Sequence, residues 1–249
     1  MAARGEEVLN FVVFRFDPER DREGHFDSYP VPAREGMTVL EGLLYILDDL
    51  DPTLSFRFAC REGVCGSCAM FINGSYRLAC QTQLKELRGA TVRVEPLPNF
   101  PIIKDLVVDL TSFFEKVDKV MPYIKTASAP PEKERLQTVA QRQRINEVID
   151  CILCGACQSA CPAMWTNKEF LGPAVLVKAY RFIADSRDEA QQERLRLVSG
   201  EDGVWRCHSV FNCVEACPKK VNQTVAIGAL KRRALVQKLK FWQRRTLSG

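Results

Sequence analysis

The sequence predicts an α+β chain in two parts: a mixed unit over residues 1–105, then an all-α part over residues 106–249. Three observations carry this expectation. Val- and Phe-rich runs separated by turn pairs fill the N-terminal part. Helical spacing of apolar residues takes over from Asp105. Eleven cysteines fall in short-spaced groups, one group in the first part and two in the second. With 46% hydrophobic and 27% charged residues in 249 positions, the chain can bury a core, which excludes a disordered tail or a fibre. The odd cysteine count leaves at least one thiol outside any disulfide, and spacings of two residues favour a metal or cluster. A reducing compartment is therefore expected.

Residues 8–16 (VLNFVVFRF) read as a strand and Phe26–Val31 as a second, connected through Asp17-Pro18 and a charged run to Gly24. Thr38-Val39-Leu40-Glu41 is a capping box that opens a helix of about three turns, with Asp51-Pro52 as its stop. Met70-Phe71-Ile72, Asn73-Gly74 and Tyr76-Arg77-Leu78 make a type I′ hairpin. Thr91–Leu97 alternates as a closing strand. This order of elements suits a β-grasp ferredoxin domain. Beyond it, Asp105–Val120 has helical spacing and Ala127–Glu134 is a Pro-rich, polar linker. From Leu136, long helical segments alternate with cysteine loops. Gly172-Pro173 starts one such helix, with Val175, Leu176, Ala179, Phe182 and Ile183 on one face. The opening MAARGEEVLNFVVF lacks a secretory signal, so a mature N-terminus is expected. No apolar run is long enough to span a membrane.

Cys60-x4-Cys65-x2-Cys68, followed by Cys80, has the spacing of plant-type [2Fe–2S] ferredoxins. Two bridged irons need four thiolates; the loop supplies three and the hairpin brings the fourth. Gly63 and Gly66 let the loop fold tightly, so that backbone N–H groups can face the sulfurs. Zinc on the same four cysteines is the alternative, although zinc favours paired CxxC hairpins over a long glycine-rich loop.

Cys151-x2-Cys154-x2-Cys157-x3-Cys161-Pro162 matches the bacterial ferredoxin run, whose fourth cysteine ligates the other cluster. The partner run is Cys207-x2-Val210-x2-Cys213-x3-Cys217-Pro218, with valine at the second cysteine position. Exchange of the fourth ligands gives Cys151, Cys154, Cys157 and Cys217 for a [4Fe–4S] cluster. Cys161, Cys207 and Cys213 remain, a three-thiolate set that suits a [3Fe–4S] cluster. The eleven cysteines are then used without remainder. No GxGxxG, nucleotide loop or catalytic triad is present, and His25 and His208 are the only histidines. Such a chain conducts single electrons and leaves the terminal chemistry to partners.

The CREGVCGSC loop with Cys80, the CILCGACQSACP and CHSVFNCVEACP runs and the FPIIKDL stretch (100–106) resemble the iron–sulfur subunit of succinate dehydrogenase and fumarate reductase. The likeness covers roughly residues 8–235. It implies an FAD-containing flavoprotein partner, membrane anchor subunits that can carry haem b, a quinone as electron acceptor, and no nucleic acid. It places the chain peripherally on the cytoplasmic face of the inner (plasma) membrane, with no transmembrane helix of its own. Its quinone contacts fall on Pro162, Trp165 and His208; the last also reads as support for the ligands, and Trp165 as an interfacial anchor. The chain has Met164-Trp165-Thr166 where many members carry an aromatic pair. The resemblance leaves fumarate reduction open as the direction, and a soluble multicluster ferredoxin is the rival outside the family.

The net charge is +4, but no acidic residue follows Glu215, while nine of the 35 Lys and Arg lie from Lys219 onward. This basic tail, with Phe241-Trp242 among Lys240, Arg244 and Arg245, reads as an element at a membrane interface.

Overall fold

The computed structural model describes residues 7–129 and 131–247, with side chains described as far as Leu239. The strands are β1 (Glu7–Arg15), β2 (His25–Ala33), β3 (Ala69–Ile72), β4 (Ser75–Leu78), β5 (Thr91–Glu95), β6 (Ile102–Lys104) and β7 (Val107–Val108). The helices are α1 (Val39–Tyr45), α2 (Thr111–Lys119), α3 (Val139–Gln143), α4 (Asn146–Ile149), α5 (Ala156–Ser159) and α6 (Pro162–Thr166). They continue with α7 (Pro173–Ile183), α8 (Gln191–Val198), α9 (Asn212–Glu215) and α10 (Gln223–Leu247). Two compact units result. One comprises the chain to Leu110 with Ile152–Ala160 and Ala216–Pro218; the other comprises Thr111–Cys151, Cys161–Glu215 and the chain from Lys219.

The first unit is a five-stranded sheet in the order β2-β1-β5-β3-β4. β1 and β2 pair antiparallel from Glu7↔Ala33 to Arg15↔His25, while β1 and β5 pair parallel. Alternation along β1 turns Leu9, Phe11, Val13 and Arg15 inward, and all four are buried. Thr38 caps α1 as its motif demands: its Oγ1 accepts from the Glu41 N–H at 3.3 Å, and Glu41 accepts from the Thr38 N–H at 2.8 Å. A π-helical turn over Ile46–Leu50 continues the helix to Asp51. Asn73 and Gly74 both take positive φ, 45° and 76°, the geometry a type I′ hairpin needs.

The helical spacing read from Asp105 is corrected by the structure. β6 and β7 pair across a tight turn, and a helix forms only over Thr111–Lys119. The turn exists because Asp105, buried at φ +46°, is an anchor. Its carboxylate accepts from Arg15 Nε at 3.1 Å and from the N–H groups of Phe16 and Ser55 at 2.9 and 2.8 Å. Arg15 also donates to Thr53 Oγ1 at 2.8 Å, to Tyr29 and to Asp51. Burial works against the Arg15 cation, but hydrogen bonds to Asp51 and Asp105 outweigh it and hold the guanidinium above its ordinary value. A buried cation at the fourth inward position of β1 thus ties the sheet, the end of the helical segment and the β6–β7 turn together.

Around the two later cysteine runs the helices have only four or five residues, and α7, α8 and α10 are the long ones among the described residues beyond Leu136. Sequence periodicity overstates the rest because the cysteine loops interrupt every helix near them. All five residues expected on the inner face of α7 are buried. Arg194 has no exposed surface, pairs with the equally buried Asp188, and donates to the carbonyls of Val120, Met121 and Tyr123. Burial pushes the Asp185 carboxyl up, but hydrogen bonds from Arg187 and Arg181 outweigh this and hold it at about 2. The linker is tied down at its start, where Glu189 accepts from the N–H groups of Ala127 and Ser128 at 2.7 and 3.2 Å. The tail continues α10 to Leu247, and the side chains of Lys240, Phe241, Trp242, Arg244 and Arg245 lie outside the described residues. Among the described residues, no helix is long and apolar enough to cross a membrane.

Removing Arg15 leaves the buried Asp105 carboxylate without its cation. Arg15→Met is expected to cost about 3–5 kcal/mol and to lower the thermal midpoint on the order of 10 °C. A calorimetric scan with an unchanged midpoint would show that the network does not hold the unit together.

Candidate metal centres

Cys68 directly precedes β3 and Cys80 closely follows β4. The hairpin register Ala69↔Leu78 therefore brings them together, sealed by the Ala79 N–H donating to the Cys68 carbonyl at 2.9 Å. Both are buried. The loop carrying Cys60 and Cys65 is exposed or half-buried. It turns through left-handed residues at Arg61, Gly63 and Gly66, with φ of 60°, 70° and 75°. This alternation points successive N–H groups inward: those of Glu62, Val64 and Cys65 donate to Cys60 Sγ at 3.4, 3.3 and 3.3 Å. Hydrogen bonds from Ser67 and from the loop backbone pull the Cys65 thiol down to about 6. Burial pushes Cys68 up to about 12, the direction a bound metal cation would reverse. Four thiols on one hairpin and one donor-rich loop fit a [2Fe–2S] cluster.

Gly66 does more than turn the loop. A Cβ there would lie 2.8 Å from Cys154 Cβ and 2.9 Å from its Cα. The first cysteine loop and the Cys151–Cys161 run are therefore in direct backbone contact, a packing that spacing could not reveal.

The two bacterial-type runs repeat one conformation. Counted from the first cysteine, the second and fourth following residues are left-handed in both: Leu153 and Gly155 at φ 54° and 82°, Ser209 and Phe211 at 56° and 68°. A short helix then starts at the fifth following residue, α5 in one run and α9 in the other. Bulky Leu153 and Phe211 accept a conformation that costs them about 1–2 kcal/mol, so the shape of each loop is not set by their own local preference. α5 is buried along its whole length. It is tacked down by Asn99 Nδ2 donating to the Ser159 carbonyl at 3.0 Å and by Ser159 donating to the Pro98 carbonyl. This places Cys157 in the interior of the first unit, where Cys154 also packs against the core.

Cys161, Cys207 and Cys213 meet on the wall of an apolar cavity of ≈ 180 Å³ that also takes in Pro162, His208 and Val210. Burial is the main influence on Cys213, with Cys161 and Cys207 adding to it, and pushes its thiol up to about 11. Cys161 is raised by the same burial, although N–H groups at the start of α6 act against it. Val210 is 56% exposed at the rim and offers no ligand atom. The donor set and the space fit a three-iron cluster with three thiolates. Pro162 and His208 stand on this cavity, whereas Trp165 is exposed one turn further along α6 and outside its lining. Among the described residues, no three His, Cys, Asp or Glu side chains gather tightly enough to hold one metal ion.

Two lysines escaped the sequence reading. Lys178 of α7 donates to the Cys151 carbonyl at 3.1 Å, and Lys231 of α10 donates to the Cys207 carbonyl at 2.7 Å. Each is carried by a long helix that follows its run, and a search for cations set back from the two runs at similar offsets could have found them.

Two family profiles match the chain: "2Fe-2S iron-sulfur cluster binding domain" over residues 10–115 and "4Fe-4S dicluster domain" over residues 147–221. A succinate dehydrogenase iron-sulfur subunit of Paracoccus denitrificans is 42% identical over 226 residues, covering 90% of this chain and 87% of that one. A fumarate reductase iron-sulfur subunit of Haemophilus influenzae is 43% identical over 233 residues, covering 89% and 91%. Among solved structures, a chain of the Mycobacterium smegmatis Sdh1 complex in the apo form superposes with TM-score 0.84 at 28% identity, covering 94% of this chain and 98% of that one.

Gly66→Ala forces a Cβ into backbone at a left-handed position. It is expected to cost at least about 2 kcal/mol and to distort the paramagnetic resonance of the two-iron centre. A variant with the wild-type midpoint and spectrum would contradict the close approach.

Proposed function

The chain belongs to the family of iron–sulfur subunits of succinate dehydrogenase and fumarate reductase, and from that premise we propose how its own residues divide the work. It is an electron-transfer subunit of an oxidoreductase complex. Residues 1–105 form the [2Fe–2S] domain, with Cys60, Cys65, Cys68 and Cys80 as ligands. Residues 106–249 form the domain of the other two clusters, with Cys151, Cys154, Cys157 and Cys217 holding [4Fe–4S] and Cys161, Cys207 and Cys213 holding [3Fe–4S]. When bound, the clusters supply one-electron steps that take a flavin's two electrons singly to a quinone.

The carrying observation is the cavity on which Cys161, Cys207 and Cys213 converge, with a valine where a fourth thiolate would stand. The N–H groups of the Cys60–Cys68 loop lower the cost of negative charge at the two-iron site. Largely apolar walls line the three-thiol cavity, which opens at Val210. Pro162 and His208, on the same wall, are the proposed quinone contacts, with Trp165 as a neighbouring interfacial residue. An FAD flavoprotein feeds the first unit. Anchor subunits, with or without haem b, receive the chain on the cytoplasmic face of the plasma membrane, and the basic tail addresses anionic headgroups there. Succinate oxidation is the proposed direction; fumarate reduction, the activity named for one relative, would reveal itself through lower midpoint potentials and a low-potential quinone.

Anaerobically purified complex is expected to contain roughly nine iron atoms per chain in its three centres, and elemental assay with acid-labile sulfide checks it. Far fewer iron atoms, or zinc without sulfide, would remove the relay. Val210→Cys is expected to supply the fourth thiolate and replace the three-iron resonance with that of a reduced four-iron centre. Persistence of a three-iron signal in a fully folded variant would show that the valine does not decide cluster type.

A further inference from the structure

None of the roles above uses the cation on the Cys151 carbonyl. Lys178 sits in the middle of α7, flanked by the buried residues Val175, Leu176, Val177 and Ala179. Lys178 itself is half-buried, and its ammonium ends on the Cys151 carbonyl at 3.1 Å. Among the described residues no carboxylate pairs with Nζ, so the charge has no partner beyond that carbonyl. The second run repeats the device with Lys231 on the Cys207 carbonyl.

We propose that Lys178 is a positioning residue for the [4Fe–4S] centre, clamping its first ligand loop and raising its reduction potential by its charge. The proposal rests on the assignment of Cys151 to the four-iron set. Reduction adds one electron to a thiolate-ligated cluster and moves no proton. A fixed positive charge beside a ligand residue stabilises the reduced form more than the oxidised one. The clamp ties α7 to the start of the run, two residues after the end of α4.

The test uses the assembled complex in membranes, titrated with dithionite through redox mediators, with the four-iron centre followed by low-temperature paramagnetic resonance. Lys178→Met and Lys178→Gln are expected to lower its reduced-to-oxidised ratio at fixed potential on the order of tenfold, about 59 mV for a one-electron couple. Lys178→Arg is expected to restore the wild-type midpoint, and the other two centres to stay unchanged. Unchanged midpoints in the Met and Gln variants would overturn the proposal. So would an equal fall in the Arg variant, which would point to packing instead of charge, or loss of the four-iron signal in all three, which would leave only a structural clamp. Absence of a four-iron signal in the wild-type complex would instead remove the ligand assignment, and that is settled before any variant is made.

Discussion

Negative charge on thiolates held out of water is the constraint that shapes this chain. A cluster ligated by cysteines gains charge when it is reduced, and a protein interior cannot solvate that charge as water does. The chain answers with backbone N–H groups. Left-handed residues at Arg61, Gly63 and Gly66 turn the first loop so that three N–H groups converge on Cys60 Sγ. In the two later runs Leu153 and Phe211 take a positive φ at equivalent places, although neither gains locally from it.

Such loops have little regular structure of their own, so their stability is borrowed. Helices of four or five residues around Cys151–Thr166 are too short to persist alone. α5 is tied by Asn99 and Ser159 to the segment that follows β5. α6 begins at Pro162, which needs no N–H partner at a helix start. Rigid anchors stand behind the loops: the Arg15–Asp105 network in the first unit, and Arg194 with Asp188 in the second. Each places a buried charge where hydrogen bonds satisfy it from several sides, which specifies one arrangement of the surrounding loops.

Positive charge complements this design. Lys178 and Lys231 reach the carbonyls of the first cysteines in the two runs from helices that otherwise serve packing. In the apolar cavity burial is the main influence on Cys161 and Cys213, with N–H groups at the start of α6 acting against it at Cys161 and Lys231 standing on the Cys207 carbonyl. Different mixtures of N–H donors, cations and apolar walls around chemically similar ligands are the means by which one chain can hold centres of different potential.

Much of this was legible in the order of residues. Covalent spacing limits which thiols can share a cluster, and Cys60-x4-Cys65-x2-Cys68 or Cys151-x2-Cys154-x2-Cys157 says so without coordinates. Thr38-x-x-Glu41 and Asn73-Gly74 encode local hydrogen bonds and φ values, which act within a few residues, and both stand in the structure as read. The reading failed where distant parts compete with local preference. Residues after Asp105 have helical spacing, yet Arg15, 90 positions earlier, draws the Asp105 carboxylate into a strand turn. The contact of Gly66 with Cys154 and the pairing of Lys178 with Cys151 join residues that no local pattern relates. Sequence alone determined which thiols are present and how they are spaced, because both are properties of the covalent chain. Tertiary structure alone decided their electrostatic surroundings, because field and burial depend on what folds against them through space.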